Sequence, residues 1–148
     1  MSSLKQRLDE DVKAAMRARE KEKLATLRMI AAALKQREVD ERIELDDTGV
    51  LQVLDRLAKQ HRDSIEQFSQ AGRNDLVEKE QFELSVVQGY LPEPLDEAQL
   101  DALIDQAIAE TGAAQVKDMG RVMAVLKPQV QGRAEMSAVG ARVKSRLG

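Results

Sequence analysis

Leu91-Pro92-Glu93-Pro94-Leu95 is the stretch that decides how this chain is organised. Each proline lacks an amide hydrogen and pushes the residue before it out of helical geometry, so no helix passes through. On both sides of this break apolar residues recur at helical spacing. Upstream, Leu4, Leu8, Val12 and Ala15 mark a first amphipathic helix. The pattern lapses around Arg19 to Lys23, then resumes on Leu24, Leu27, Ile30, Ala31 and Leu34. So short a lapse favours an antiparallel helical hairpin. Asp46-Asp47-Thr48-Gly49 breaks the chain again, with Asp47 or Thr48 placed to cap a third helix. That helix carries Leu54, Leu57, His61, Ile65 and Phe68 on one face, and Gly72 is free to take a left-handed stop. Asn74 or Asp75 restarts a fourth along Leu76, Leu84, Val87 and Leu91.

Downstream, Asp96 caps a fifth helix whose Leu100, Leu103, Ile104, Ala107 and Ile108 form a tight apolar face, ended by Thr111 and Gly112. A sixth spans roughly 116–126, with Val116, Met119, Val122, Met123 and Leu126 together. A Pro128-to-Gly132 turn then leads to a seventh on Met136, Val139, Val143 and Leu147. The expectation is an all-α chain: a four-helix N-terminal domain over 1–93, followed by a small three-helix domain over 94–148. Only 2% of the residues are aromatic, and Leu, Ala, Glu, Lys, Arg and Gln dominate, which leaves little for a sheet.

Composition removes several function classes. There is no cysteine, hence no disulfide, thiolate metal site or cysteine nucleophile. The N-terminus is charged from Lys5 onward, unlike a signal peptide, and the longest apolar run, Met29 to Leu34, is far too short to span a bilayer. A cytoplasmic protein with no membrane partner is expected. Charge is uneven. Residues 111–148 carry seven Lys and Arg against two acids, a net of +5, whereas residues 73–110 carry two against ten, a net of −8. Such asymmetry speaks to partners rather than to fold.

Several motifs in order resemble the GatB/YqeY family of small helical proteins. They are Arg28-Met29-Ile30, Arg62-Asp63-Ser64-Ile65-Glu66-Gln67-Phe68, Ala71-Gly72-Arg73-Asn74-Asp75-Leu76, Lys79-Glu80 and Tyr90-Leu91-Pro92. The final third is similar to the tail domain of the B subunit of bacterial tRNA-dependent amidotransferase. Gly120, Val122 and Met123, then Gly132-Arg133-Ala134, then Val139, Val143 and Leu147 carry that likeness. The resemblance implies an all-α fold with a tRNA-contacting tail, and amidotransferase subunits or an aminoacyl-tRNA synthetase as further partners. ATP use in that enzyme belongs to a separate catalytic domain. The chain departs from the family pattern after Ala134. Glu135-Met136 stands where the family usually has Asp or Asn followed by Gly or Pro, so either Ser137 takes over the cap or the last helix starts less firmly.

The residues for amide transfer itself are missing. No cysteine glutaminase can form, no Gly/Ser-rich nucleophile loop appears, and no Gly-rich phosphate cradle is present. His61, the sole histidine, falls on an apolar stripe, which suits a core or interhelical histidine better than a general base needing a second group. Asp9-Glu10-Asp11 and Asp46-Asp47 are sequence neighbours that do not share a helical face, so solvated surface is expected there rather than a metal. The isolated chain is thus read as non-catalytic, with no cofactor and no metal. Its expected nucleic-acid-binding residues are Lys117, Arg121, Lys127, Arg133, Arg142, Lys144 and Arg146. Arg142, Lys144 and Arg146 also suit the negative end of a helix. Lys117 and Arg121 lie near a helix start, where amides and cations together attract phosphate. No aromatic interleaves them, so recognition would be of backbone and shape, as suits folded tRNA. Two alternatives stand beside this reading: an accessory component of a carbon–nitrogen ligase with glutamine as amido-N-donor, and a helical protein–protein interaction module. The competing structural account is that the +5 end docks on the −8 segment of the same chain.

Overall fold

The computed structural model describes residues 2–148, which form seven α-helices and no strand among them. They are α1 (Ser3–Ala18), α2 (Lys21–Glu41), α3 (Asp47–Gln70), α4 (Asn74–Gln88), α5 (Glu97–Thr111), α6 (Met119–Val130) and α7 (Met136–Leu147). A single 3-10 turn, Val116–Asp118, precedes α6. The chain is all-α. It divides into two compact units, one ending at Leu91 and one spanning Pro92–Gly148.

In the first unit Leu8 and Ala15 of α1, Leu27, Ile30 and Leu34 of α2, Val53, Leu54, Leu57 and Ala58 of α3, and Val87 of α4 make one buried cluster. The lapse between α1 and α2 is a left-handed residue, Arg19 at φ 57°, and α2 ends the same way on Arg42 at φ 55°. Gly72 takes the left-handed stop expected after α3, at φ 71°. The cap of α3 differs from expectation. Asp46, not Asp47 or Thr48, accepts the Gly49 amide at 2.9 Å. Asp47 is drawn instead to the start of α1, where it accepts from the hydroxyls of Ser2 and Ser3 and, at 3.1 Å, from the Leu4 amide. Those hydroxyls hold its carboxyl below the usual range. α4 starts with no side-chain cap at all: Asn74 and Asp75 lie inside the helix, and Arg73 occupies the cap position.

The second unit has its own core: Leu100, Ile104 and Ala107 of α5, Val122, Leu126 and Val130 of α6, Val139, Val143 and Leu147 of α7. Asp96 caps α5 as expected, and Gln99 returns the bond to the Asp96 amide, a complete capping box. Gly112 ends that helix at φ 66°. Two expectations fail here. The α-helical part of the sixth element begins at Met119, since residues 116–118 are wound more tightly. It also runs through Pro128 to Val130 rather than stopping near Leu126. A proline at this position removes one amide donor and crowds the carbonyl four residues back, about 3 kcal/mol in a helix interior. The complete burial of Val130, worth about 1.5–3 kcal/mol, is what the longer helix gains against that cost. The last helix starts without a side-chain cap, because the Ser137 hydroxyl donates to Glu135 Oε1 at 2.9 Å and serves no free amide.

Candidate functional site

The seven cations of the second unit do not form one pool. Arg142 of α7 donates to Asp101 of α5 at 2.6 Å and lies 3.1 Å from Glu97. Arg146, one turn on, reaches Asp101 at 3.5 Å and also pairs with Asp105. These two arginines thus lace α7 to the acidic face of α5, as the self-docking account requires. Arg121 pairs with Asp118 at 2.8 Å and donates to the Thr111 carbonyl. Asp118 is the hub of that turn: its other oxygen accepts from the Ala114 and Gln115 amides. Backbone amides first, and Arg121 second, hold its carboxyl at about 2. A cation near this helix start therefore has a local partner. Charge alone had suggested otherwise.

Four cations keep their charge uncompensated. Among the described residues Lys117, Lys127 and Lys144 meet no carboxylate, and all three are exposed. Arg133 is half-buried; its Nε donates to the Glu93 carbonyl at 3.2 Å, while its own carbonyl accepts the Leu95 amide at 2.8 Å. That leaves the guanidinium charge in place while tying the turn at Gly132 (φ 75°) to the segment before α5. The end of α7 lies beside the start of the sixth element, since a Cβ at Gly148 would stand 3.8 Å from Val116. The two helices are therefore antiparallel. Lys117 and Lys144 share one end of the hairpin, and Lys127 and Arg133 share the other, about 15–18 Å away along α6.

A second cluster lies in the first unit and was only half visible in the sequence. His61 of α3 is 7% exposed, and its Nδ1 lies 2.6 Å from Glu80 Oε2 and 3.7 Å from Glu83 Oε2, both on α4. It is the interhelical histidine expected, but with two carboxylate partners instead of a purely apolar surround. The signal that could have found them is the i, i+3 spacing of Glu80 and Glu83, which puts both on one helical face. Nothing in the sequence says that this face meets His61. His61 Nε2 is buried and makes no hydrogen bond.

Fold and sites together define a small two-unit helical protein with a partly self-neutralised basic end. A family model described as Yqey-like protein matches residues 5–147, and the chain belongs to that family. Among curated proteins it is 39% identical to "Altered inheritance of mitochondria protein 41, mitochondrial" of Eremothecium gossypii, over 57% of this chain and 46% of that protein. The protein of the same name in Pyrenophora tritici-repentis is 34% identical over 86% of this chain and 71% of its own length. That of Lachancea thermotolerans is 33% identical over 70% and 57%. The chain thus spans about half to two-thirds of the curated relatives it matches. No helix among the described residues is long and apolar enough to cross a membrane.

Proposed function

We propose that this is a non-catalytic helical protein whose second unit docks on the sugar–phosphate backbone of folded RNA, tRNA in the first instance. The observation that supports the reading is the uncompensated charge of Lys117, Lys127, Arg133 and Lys144 in a fold that neutralises its neighbours. Arg121, Arg142 and Arg146 are removed from the binding set, because each already serves a carboxylate of the same unit. Two pairs of cations separated along a helical hairpin suit separate phosphates, not a single anion. Amidotransferase subunits or an aminoacyl-tRNA synthetase are the proteins this reading places nearby. The mitochondrial location in the fungal names belongs to those relatives; for this chain the cytoplasm remains part of the proposal.

The test is filter binding of bulk tRNA to the whole chain and to a variant carrying Lys117→Glu, Lys127→Glu and Lys144→Glu. All three sites are exposed, so the fold tolerates the changes. Affinity is expected to fall at least a hundredfold, and unchanged affinity overturns the reading. A protein–protein interaction module is the second reading, favoured by the apolar side chains that the first unit leaves at its surface. Val39, Met16 and Ile43 are 60%, 51% and 47% exposed.

A further inference from the structure

We propose that His61, Glu80 and Glu83 form a binding site for one divalent transition-metal ion, with zinc the preferred occupant. The inference is independent of the RNA reading and lies in the other unit. One donor nitrogen and two carboxylate oxygens, from two helices, come within 4.8 Å of one another. Four-coordinate zinc holds nitrogen and oxygen ligands at about 2.0–2.2 Å, which places the ligand atoms about 3.3–3.5 Å apart. Nδ1 stands 2.6 Å from one carboxylate and 3.7 Å from the other, spacings that bracket that value. Shifts of under about 1 Å would bring both nitrogen–oxygen spacings to that value, leaving a fourth position open.

Burial and charge point the same way. The side chains of His61, Glu80 and Glu83 are 9%, 20% and 17% exposed, so two like charges are held side by side largely out of water. A single imidazole can relieve that repulsion by at most one unit of charge; a dication neutralises both carboxylates. The donor set also selects the ion. An imidazole with two carboxylates suits zinc and its first-row neighbours, whereas calcium asks for six or more oxygens and magnesium for oxygen ligands in a near-ideal octahedron. There is also a way in. Glu83 lines a cavity of about 460 Å³ between α2 and α4, together with Ala25, Thr26, Met29, Asp75 and Phe82. His61 and Glu80 do not line that cavity, so Glu83 is the ligand through which an ion would reach it. The pairing of His61 with Glu80 alone would be an ordinary interhelical hydrogen bond. The second carboxylate on the same face is what that explanation leaves unused.

The test is calorimetric titration of the full chain with zinc chloride, compared with Glu83→Gln and His61→Gln, and repeated with magnesium chloride. Glu83→Gln is the decisive variant, since it leaves the His61–Glu80 bond intact and keeps the fold. One equivalent of zinc is expected, weakened at least tenfold by Glu83→Gln and at least as much by His61→Gln, with no saturable magnesium binding below millimolar. Circular dichroism of each variant confirms that it is folded. Failure of the wild-type chain to bind zinc at 100-fold excess over about 10 µM protein overturns the assignment. Zinc binding that neither substitution weakens overturns it equally, by moving the ion to surface carboxylates.

Discussion

Replacing Leu126 by alanine should destabilise the second unit while leaving the stability of the first unchanged. Leu126 is fully buried among Leu100, Ile104, Val122, Val130, Val139 and Val143, every one of which belongs to the second unit. Truncating an enclosed leucine costs about 2–5 kcal/mol, the upper end applying where neighbours cannot collapse into the space. Here they are on three helices joined by short turns, and one of those turns is tied by Arg133 to the segment before α5. The unit has roughly 57 residues, for which about 3–8 kcal/mol of total stability is ordinary. A loss of about 4 kcal/mol therefore consumes half or more of it. The first unit keeps a separate cluster built on Leu27, Ile30 and Leu54. Urea unfolding followed by circular dichroism, with limited proteolysis and mass mapping, reads the outcome. The substituted chain should show two transitions, with early cleavage confined to residues 92–148. A single transition shared by both units, or a loss below 1 kcal/mol, would refute the assignment of two independent cores.

Two further predictions concern single groups and a third the whole chain. Tyr90 is 7% exposed, and its hydroxyl donates to Asp11 beneath Arg7, whose guanidinium carbon stands 4.6 Å from the ring centre. Tyr90→Phe should cost about 1.5–3 kcal/mol in denaturant unfolding, as for a bond to a charged acceptor. Burial first, and the Asp11 bond second, push the Tyr90 hydroxyl pKa up. A raised value means that the folded chain holds the proton more tightly, so this contribution is complete below about pH 10 and is lost as pH rises beyond it. Asp118 behaves oppositely. Its folded value of about 2 lies below the ordinary carboxylate range, so its contribution is present above about pH 4 and is lost as pH falls towards 2. Asp118→Asn should flatten that acid limb of the stability–pH curve for residues 92–148, and an unaltered limb would refute the role given to this hub. Finally, the pure chain incubated with Glu-tRNA, ATP and glutamine should produce no amidated product; turnover without added subunits would contradict a non-catalytic protein.

The helices, the break at Pro92–Pro94 and the Asp96 cap were legible because each depends on residues close together in sequence. Gly72 and Gly112 were legible for the same reason, as local left-handed stops. What could not be read depends on which helix face meets which. Asp47 looked like a cap until the start of α1 came within reach of it. Pro128 looked like a terminator because a proline's local penalty is visible, whereas the burial of Val130 that opposes it is tertiary. Arg142 and Arg146 read as solvent-facing cations, and only the packing of α7 against α5 shows their carboxylate partners. His61 was located on a buried stripe, but the register of α3 against α4 that brings Glu80 and Glu83 to it is not a property of either segment alone.

The salt dependence of tRNA binding bears most directly on the division of the basic end into occupied and unoccupied cations. Each phosphate neutralised contributes about 0.7–0.9 to the log–log slope of affinity against salt. Contacts from Lys117, Lys127, Arg133 and Lys144 alone predict a slope of about −3. A slope near −6 would mean that all seven cations engage the RNA and that the pairs with Asp101, Asp105 and Asp118 are surrendered. A slope near zero, or no binding at low salt, would contradict the account altogether.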